Sequence, residues 1–171
     1  IFSMEAPVKY QVNIFSAEYN AQYWSYTLEY MRGATKIGQF SNFFPAFNDK
    51  PEACYGQITY RPSEAFEYFI RYEGSVSNKG DPRGEAFTQS GRDALARFNL
   101  TEKDFPLSPS YSRYAFDKTI GIGWRPQPEF LVRAEWHRVI GTSWIANYGL
   151  NSERLDKEWD LVAIQLSYRF K

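Results

Sequence analysis

Residues 159–170, WDLVAIQLSYRF, are the stretch that decides how this chain folds. Successive side chains of a β-strand point to opposite sides, and here one side is wholly apolar while the other is mixed. The apolar side carries Val162, Ile164, Leu166, Tyr168 and Phe170, and the mixed side carries Leu161, Ala163, Gln165, Ser167 and Arg169. A strand between hydrocarbon and a water-filled lumen needs this alternation. The last strand of a soluble antiparallel sheet alternates for the same geometric reason, so both interpretations stay open at this point.

The composition favours a membrane barrel over a helical membrane protein. Aromatic residues make up 19% of the chain although its mean hydropathy is -0.54. A barrel combines these properties because aromatic side chains form girdles at the two membrane interfaces while the lumen and loops stay polar. No run of about 18 apolar residues, as a transmembrane helix requires, is present. The 20 basic and 20 acidic side chains cancel, which argues against nucleic acid as a partner.

Seven segments alternate with period two and are predicted to be strands. The clearest is WSYTLEYMR, residues 24–32. In the first segment, a slip is expected near Phe15, so that Val8 and Tyr10 face lipid while Lys9 faces the other way. One helix is predicted over residues 84–98. The seven predicted strands cover residues 8–19, 24–32, 52–61, 66–73, 118–125, 130–138 and 159–170.

The connections between these strands are alternately short and long. The long ones, residues 33–51, 74–115 and 139–158, would lie outside the cell, and the short ones would be periplasmic turns, with the carboxyl terminus also periplasmic. A soluble Greek-key sandwich has no reason to sort its loops in this way. The sequence therefore predicts an all-β fold: a transmembrane antiparallel up-and-down β-barrel in the bacterial outer membrane, with residues 1–171 in one barrel domain. Because single-chain bacterial barrels have even strand numbers, further strands are expected before Ile1, in a barrel of about 14 to 18 strands.

Four motifs resemble the last strands of Gram-negative outer-membrane porins, including those related to the phosphate-selective porins. They are residues 24–32 (WSYTLEYMR), 55–62 (YGQITYRP), 132–138 (VRAEWHR) and 158–170 (EWDLVAIQLSYRF). The resemblance implies a passive diffusion channel for small hydrophilic solutes or ions, surrounded by membrane lipids, commonly a homotrimer and without a cofactor. It also implies that Phe170 is the assembly signal, although Lys171 follows it. The basic ladder of a phosphate pore cannot be traced, so phosphate selectivity is not implied.

Charged side chains on the mixed faces are the candidate pore-lining residues. They lean basic, which suggests a preference for anions; the alternative is that they pair across neighbouring strands and stabilise the wall. The resemblance further implies that the loop at residues 74–115 folds inward as a constriction; a surface cap or subunit contact is the alternative. The pore-lining candidates are Lys9, Arg61, Arg71, Arg125, Arg133, Arg169, Glu29, Glu67, Glu73 and Glu135, and the constriction candidates are Lys79, Arg83, Arg92 and Arg97.

Enzymatic and metal-binding functions receive little support from the sequence. His137 is the sole histidine, and Glu135 two residues away shares its face, which more often describes a satisfied wall residue than a catalytic base. Cys54, the sole cysteine, has no partner for a disulfide or a metal site. Two other functions remain open: a barrel that acts as a scaffold or binds a partner without an open pore, and a soluble β-sandwich with binding loops.

Overall fold

The computed structural model of this protein describes residues 8–38, 47–145 and 155–170. These residues form one antiparallel sheet in which consecutive long strands are neighbours, and the short strand β3 pairs beside the end of β2. An α-helix, α1 (Glu85–Arg97), and a short 3-10 helix (Ser110–Arg113) lie between β5 and β6. The strands are β1 (Val8–Asn20), β2 (Trp24–Ile37), β3 (Phe47–Asp49), β4 (Glu52–Tyr60), β5 (Phe66–Val76), β6 (Tyr114–Gln127), β7 (Phe130–Gly141) and β8 (Glu158–Tyr168).

The seven predicted strands and the predicted helix are confirmed, and the described residues form a mostly antiparallel β-structure. None of the helices described is long and apolar enough to cross a membrane. The strand ends differ from the prediction: β2 continues to Ile37, β5 to Val76 and β7 to Gly141, while β6 begins earlier, at Tyr114. The long connections are therefore shorter than predicted, because backbone pairing continues past the residues whose polarity alternates. Strand β3 was not predicted.

The register gives the sheet one apolar face. Residues directly opposite each other on paired strands share a face, so the pairing places the apolar alternations of the seven long strands on the same side, except in the first half of β1. Most of these side chains are exposed. We call this side the apolar face; it carries Phe15, Ala17, Tyr19, Trp24, Tyr26, Leu28, Tyr30, Cys54, Gly56, Ile58, Tyr60, Phe66, Tyr68, Ile70, Tyr72, Ile120, Ile122, Trp124, Phe130, Val132, Ala134, Trp136, Val162, Ile164, Leu166 and Tyr168.

The uncharged stretch of this face has the same length in four strands. In each of these strands, counting from the end beside a short turn, the first four residues on the apolar face are uncharged. The next residue on the same face is charged. The first charge therefore comes eight residues beyond the aromatic residue at the turn. The four stretches run from Trp24 to Arg32, from Tyr60 to Glu52, from Phe130 to Arg138 and from Tyr168 to Asp160.

The first strand corrects one sequence prediction. β1 pairs with β2 in continuous register, so the slip predicted near Phe15 is wrong. Lys9 lies directly opposite Lys36 on the side of Phe15 and Tyr19, and the prediction that Lys9 lines the same face as Glu29 is therefore wrong. The physical reason is that this half of β1 lies opposite Arg32 and the residues after it, past the uncharged stretch of β2. There the polarity of a side chain no longer shows which face it is on. Four apolar side chains lie instead on the opposite face: Val8, Tyr10, Val12 and Ile14.

Candidate functional site

The side of the sheet opposite the apolar face, which we call the polar face, holds a network of ion pairs on β5, β6 and β7. Its most buried acid is Glu67 on β5, whose side chain is 3% exposed. Arg61 and Arg125 approach the Glu67 carboxylate at 3.5 Å each, and Arg133 on β7 donates a hydrogen bond to it. Arg125 reaches it from the irregular end of β6, where the register shifts. One buried carboxylate thus serves three guanidinium groups, an arrangement that we call the Glu67 cluster.

Two glycines on β6 allow side chains of β5 and β7 to meet across the strand between them. A Cβ atom on Gly121 would lie 2.1 Å from the ring of Phe69, and one on Gly123 would lie 2.6 Å from the Glu67 side chain. Phe69 is 4% exposed and its ring packs against Gly121, and the guanidinium of Arg133 lies 5.4 Å from its ring centre. A cation–π contact of this kind adds to the stabilisation that the burial of the ring provides. The glycines are therefore the positions that permit the network.

We expect Gly121→Val to destabilise the protein by about 1–3 kcal/mol, as overpacking of a filled site does. The valine side chain would occupy the space of the Phe69 ring. The measurement is the free energy of unfolding by urea, with Gly56→Val as the matched control, because a Cβ at Gly56 meets its nearest atom only at 3.8 Å. Equal effects of the two substitutions would contradict the packing described for Phe69.

A second group of charges lies next to the Glu67 cluster, towards the long connections. Arg71 contacts Glu73 at 2.8 Å and Glu135 at 2.7 Å. His137 places its Nδ1 atom 2.7 Å from Asp117 and its Nε2 atom 3.3 Å from Glu135. Of these two contacts, the one with Asp117 is a hydrogen bond.

A hydroxyl group and a carboxylate contact the same ring nitrogen of this histidine. Thr119 contacts the Nδ1 atom of His137 at 3.1 Å, and Asp117 contacts the same nitrogen. His137 is therefore part of the hydrogen-bonded network on the polar face, and its role as a wall residue stays a prediction.

The structure brings seven of the ten predicted pore-lining residues into these two groups. They are Arg61, Arg71, Arg125, Arg133, Glu67, Glu73 and Glu135. Glu29 is on the same face but exposed, where it accepts a hydrogen bond from Ser16 at 3.2 Å. Arg169 follows β8, with its backbone N–H donating to the carbonyl of Glu129, and Lys9 is on the apolar face. The sequence left open that these charges pair across neighbouring strands; Arg71 on β5 pairs with Glu135 on β7, across the intervening strand β6.

Three network residues were missed from the sequence: Phe69, Asp117 and Thr119. Glycine at alternate positions of the segment KTIGIGWR, residues 118–125, was the signal that a strand with no side chains there would let its neighbours meet. The acids Glu18 and Asp117 also lie on the polar face by register. Together with the loss of Lys9, they remove the basic excess that the sequence suggested for this face of the described strands.

The four constriction candidates have separate surroundings. Lys79 contacts Glu52, a residue on the side of the apolar face, at 2.8 Å, and this hydrogen bond raises the pKa of its ammonium group. Arg92 pairs with Glu102 at 2.6 Å within the loop. Arg97 lies in the last turn of α1, where a cation complements the helix dipole. Arg83 lines a crevice with Tyr114, Phe116 and Ile140. The contacts described for these four side chains do not reach the polar-face network.

Within the described ranges no cluster of three or more histidine, cysteine or carboxylate side chains could hold a metal ion. The fold and this face define a protein built mainly of antiparallel β-sheet, with a large exposed apolar face and an ion-paired polar face. Comparisons with family models, with curated proteins and with solved structures find no match to this chain.

Proposed function

We propose that this chain forms part of the wall of a transmembrane β-barrel in the bacterial outer membrane. We further propose that the barrel is a porin, a passive diffusion channel for small hydrophilic solutes. In this proposal the apolar face contacts lipid and the polar face lines the lumen. The carboxyl terminus is periplasmic. The resemblance to porins adds homotrimeric assembly to the proposal.

The observation that carries the proposal is the equal length of the uncharged stretch on the apolar face of β2, β4, β7 and β8. Eight residues at about 3.4 Å each span about 27 Å along a strand, or about 21 Å along the membrane normal at a tilt of about 40°. The outward-facing apolar band of outer-membrane barrels is about 25 Å tall. A soluble sheet has no physical reason to end its apolar stretch at the same distance from the turn in four strands.

Aromatic side chains at the turn end of the stretch support the same placement. Trp24, Tyr60, Phe66, Trp124 and Tyr168 all lie on the apolar face beside the short turns. Trp24 and Tyr60 pack against each other with ring centres 4.5 Å apart. Such rings occupy the interface between lipid and water, where one end is apolar and the other is wet.

The edges of the sheet also favour a barrel. In the described part of the chain, β1 and β8 each pair on one side. Unpaired backbone groups in hydrocarbon cost several kcal/mol each, so a sheet in lipid must close. The proposal therefore includes further strands between β8 and β1, in a barrel of about 14 to 18 strands.

The experiment that tests this function is single-channel conductance of the purified full-length protein in a planar bilayer, under a salt gradient. We expect steady conductance steps. We also expect Glu29→Gln to move the reversal potential towards anions, because this exposed carboxylate faces the lumen. Lys118→Gln is the matched control, since it neutralises one exposed charge on the apolar face. Silence from folded, inserted protein would contradict an open pore and favour a plugged or partner-filled barrel. Equal shifts for the two variants would contradict the assignment of faces.

A further inference from the structure

We propose that the apolar face of β1, β2 and β4 binds one phosphorylated lipid, with an acyl chain in a groove over Gly56 and the phosphate on Lys9, Lys36 and Arg32. This inference rests on the proposed membrane placement and goes beyond it, because bulk lipid needs neither a groove nor a charge cluster. The groove and the charges are separate observations on the same strands.

The groove is the more apolar half of the site. It has a volume of about 510 Å³ and a lining that is mainly apolar, with Ala17, Leu28, Gly56 and Ile70 among its residues. Two small residues help to create it: Ala17 and Gly56 flank Leu28 on three consecutive strands. The space above Gly56 is open, since a Cβ there meets its nearest atom, of Leu28, at 3.8 Å. A flexible hydrocarbon chain fits a groove of this kind, which faces lipid in the proposed orientation.

The charged half lies on the same strands, beyond the uncharged stretch. Lys9 and Lys36 are directly opposite each other, and both are exposed. Like charges at directly opposite positions destabilise a sheet, and among the described residues no carboxylate forms an ion pair with either lysine. Arg32 is on the same face, four residues before Lys36 on β2. Its cross-strand neighbour Glu52 already forms an ion pair with Lys79. The cluster therefore has positive charge to offer an anion.

In the proposed orientation, the depth of the cluster in the membrane matches the depth of the lipid phosphates. Arg32 is the first charge after the uncharged stretch, so it lies at the edge of the hydrocarbon. Lys36 is four residues further, which is about 13 Å along the strand and about 10 Å along the membrane normal. The headgroup region is about 5–8 Å deep on each side of the hydrocarbon. Lysine side chains bend along a surface to place their charge at a preferred depth, so both ammonium groups reach phosphates in that region.

The test is lipid binding by the full-length protein in nanodiscs of phosphatidylcholine, with phosphatidic acid added as the probe. We expect saturable binding of phosphatidic acid. Each cation near an anionic lipid surface changes the binding affinity about fivefold. Lys9→Gln together with Lys36→Gln should therefore weaken binding about 30-fold. Gly56→Leu should weaken it through the groove, without the salt dependence of the charge effect. Lys118→Gln, which removes an exposed cation on β6, should leave binding unchanged.

Three outcomes would overturn the proposal in distinguishable ways. Inserted protein that binds phosphatidic acid no better than phosphatidylcholine, or whose double variant binds like the wild type, contradicts the lipid site alone. Competition by inorganic phosphate at equal concentration would show that the cluster binds free phosphate rather than a lipid. Protein that does not enter nanodiscs contradicts the membrane placement and the lipid site together.

Discussion

Ile164→Arg is expected to lower the free energy of unfolding in a lipid bilayer by about 2–4 kcal/mol, the cost of a lipid-facing arginine at the membrane midplane. Ile164 is 72% exposed on the apolar face of β8. It lies midway along the uncharged stretch of that strand, four residues from Tyr168 and four from Asp160. In the proposed orientation the new guanidinium group would therefore be far from water on both sides.

The adjacent residue provides the control for this experiment. Gln165 lies on the polar face of the same strand, and Gln165→Arg adds the same side chain at the same depth. We expect it to change stability by no more than about 0.5 kcal/mol, as exposed substitutions usually do. The measurement is urea-dependent unfolding of the full-length protein in phospholipid vesicles, followed by tryptophan fluorescence.

The two variants also separate the membrane proposal from the soluble alternative. On a soluble sheet with a water-exposed face, arginine at 72% exposed Ile164 would be tolerated about as well as at Gln165. Equal stability of Ile164→Arg and Gln165→Arg would contradict the lipid-facing assignment. A large loss for Gln165→Arg alone would indicate that the faces are reversed.

The strands were predictable because their signal is local. Period-two alternation in residues 24–32 or 130–138 depends on the pleat of one strand, and the structure contains each such segment as a strand. The helix at Glu85–Arg97 was predictable for a similar reason, since its pattern lies within one segment. Barrel closure and membrane insertion depend on contacts outside the described residues, and they stay predictions.

The errors occurred where a neighbouring strand decides the outcome. Lys9 was assigned to the wrong face because the sequence of β1 alone does not show which of its sides continues the face of Trp24 and Tyr26. The register with β2 shows it. The burial of Glu67 was not foreseen because it depends on Gly123, a residue far away in sequence. Sequence alternation predicts the faces of one strand, whereas register and cross-strand contacts decide how those faces align.

Glu67→Gln is expected to destabilise the protein by about 2–4 kcal/mol, which is the effect of removing one partner from a buried, hydrogen-bonded charge pair. The substitution keeps the shape of the side chain but leaves three guanidinium groups without their common carboxylate. Arg61, Arg125 and Arg133 are 41%, 38% and 31% exposed, so water compensates part of the loss. For this reason we expect less than the about 3–5 kcal/mol seen when a fully buried pair is broken.

Salt dependence distinguishes this electrostatic effect from simple loss of packing. Repulsion among the three partly exposed arginines is screened at high ionic strength, because the Debye length falls from about 10 Å at 0.1 M to about 3 Å at 1 M. Glu67→Gln should therefore recover part of its stability in 1 M salt. Glu29→Gln removes the same charge from an exposed position on the same face and should change stability little at either concentration. A loss for Glu67→Gln no larger than for Glu29→Gln would contradict the Glu67 cluster, and a large loss that salt does not reduce would assign the effect to packing on Gly123.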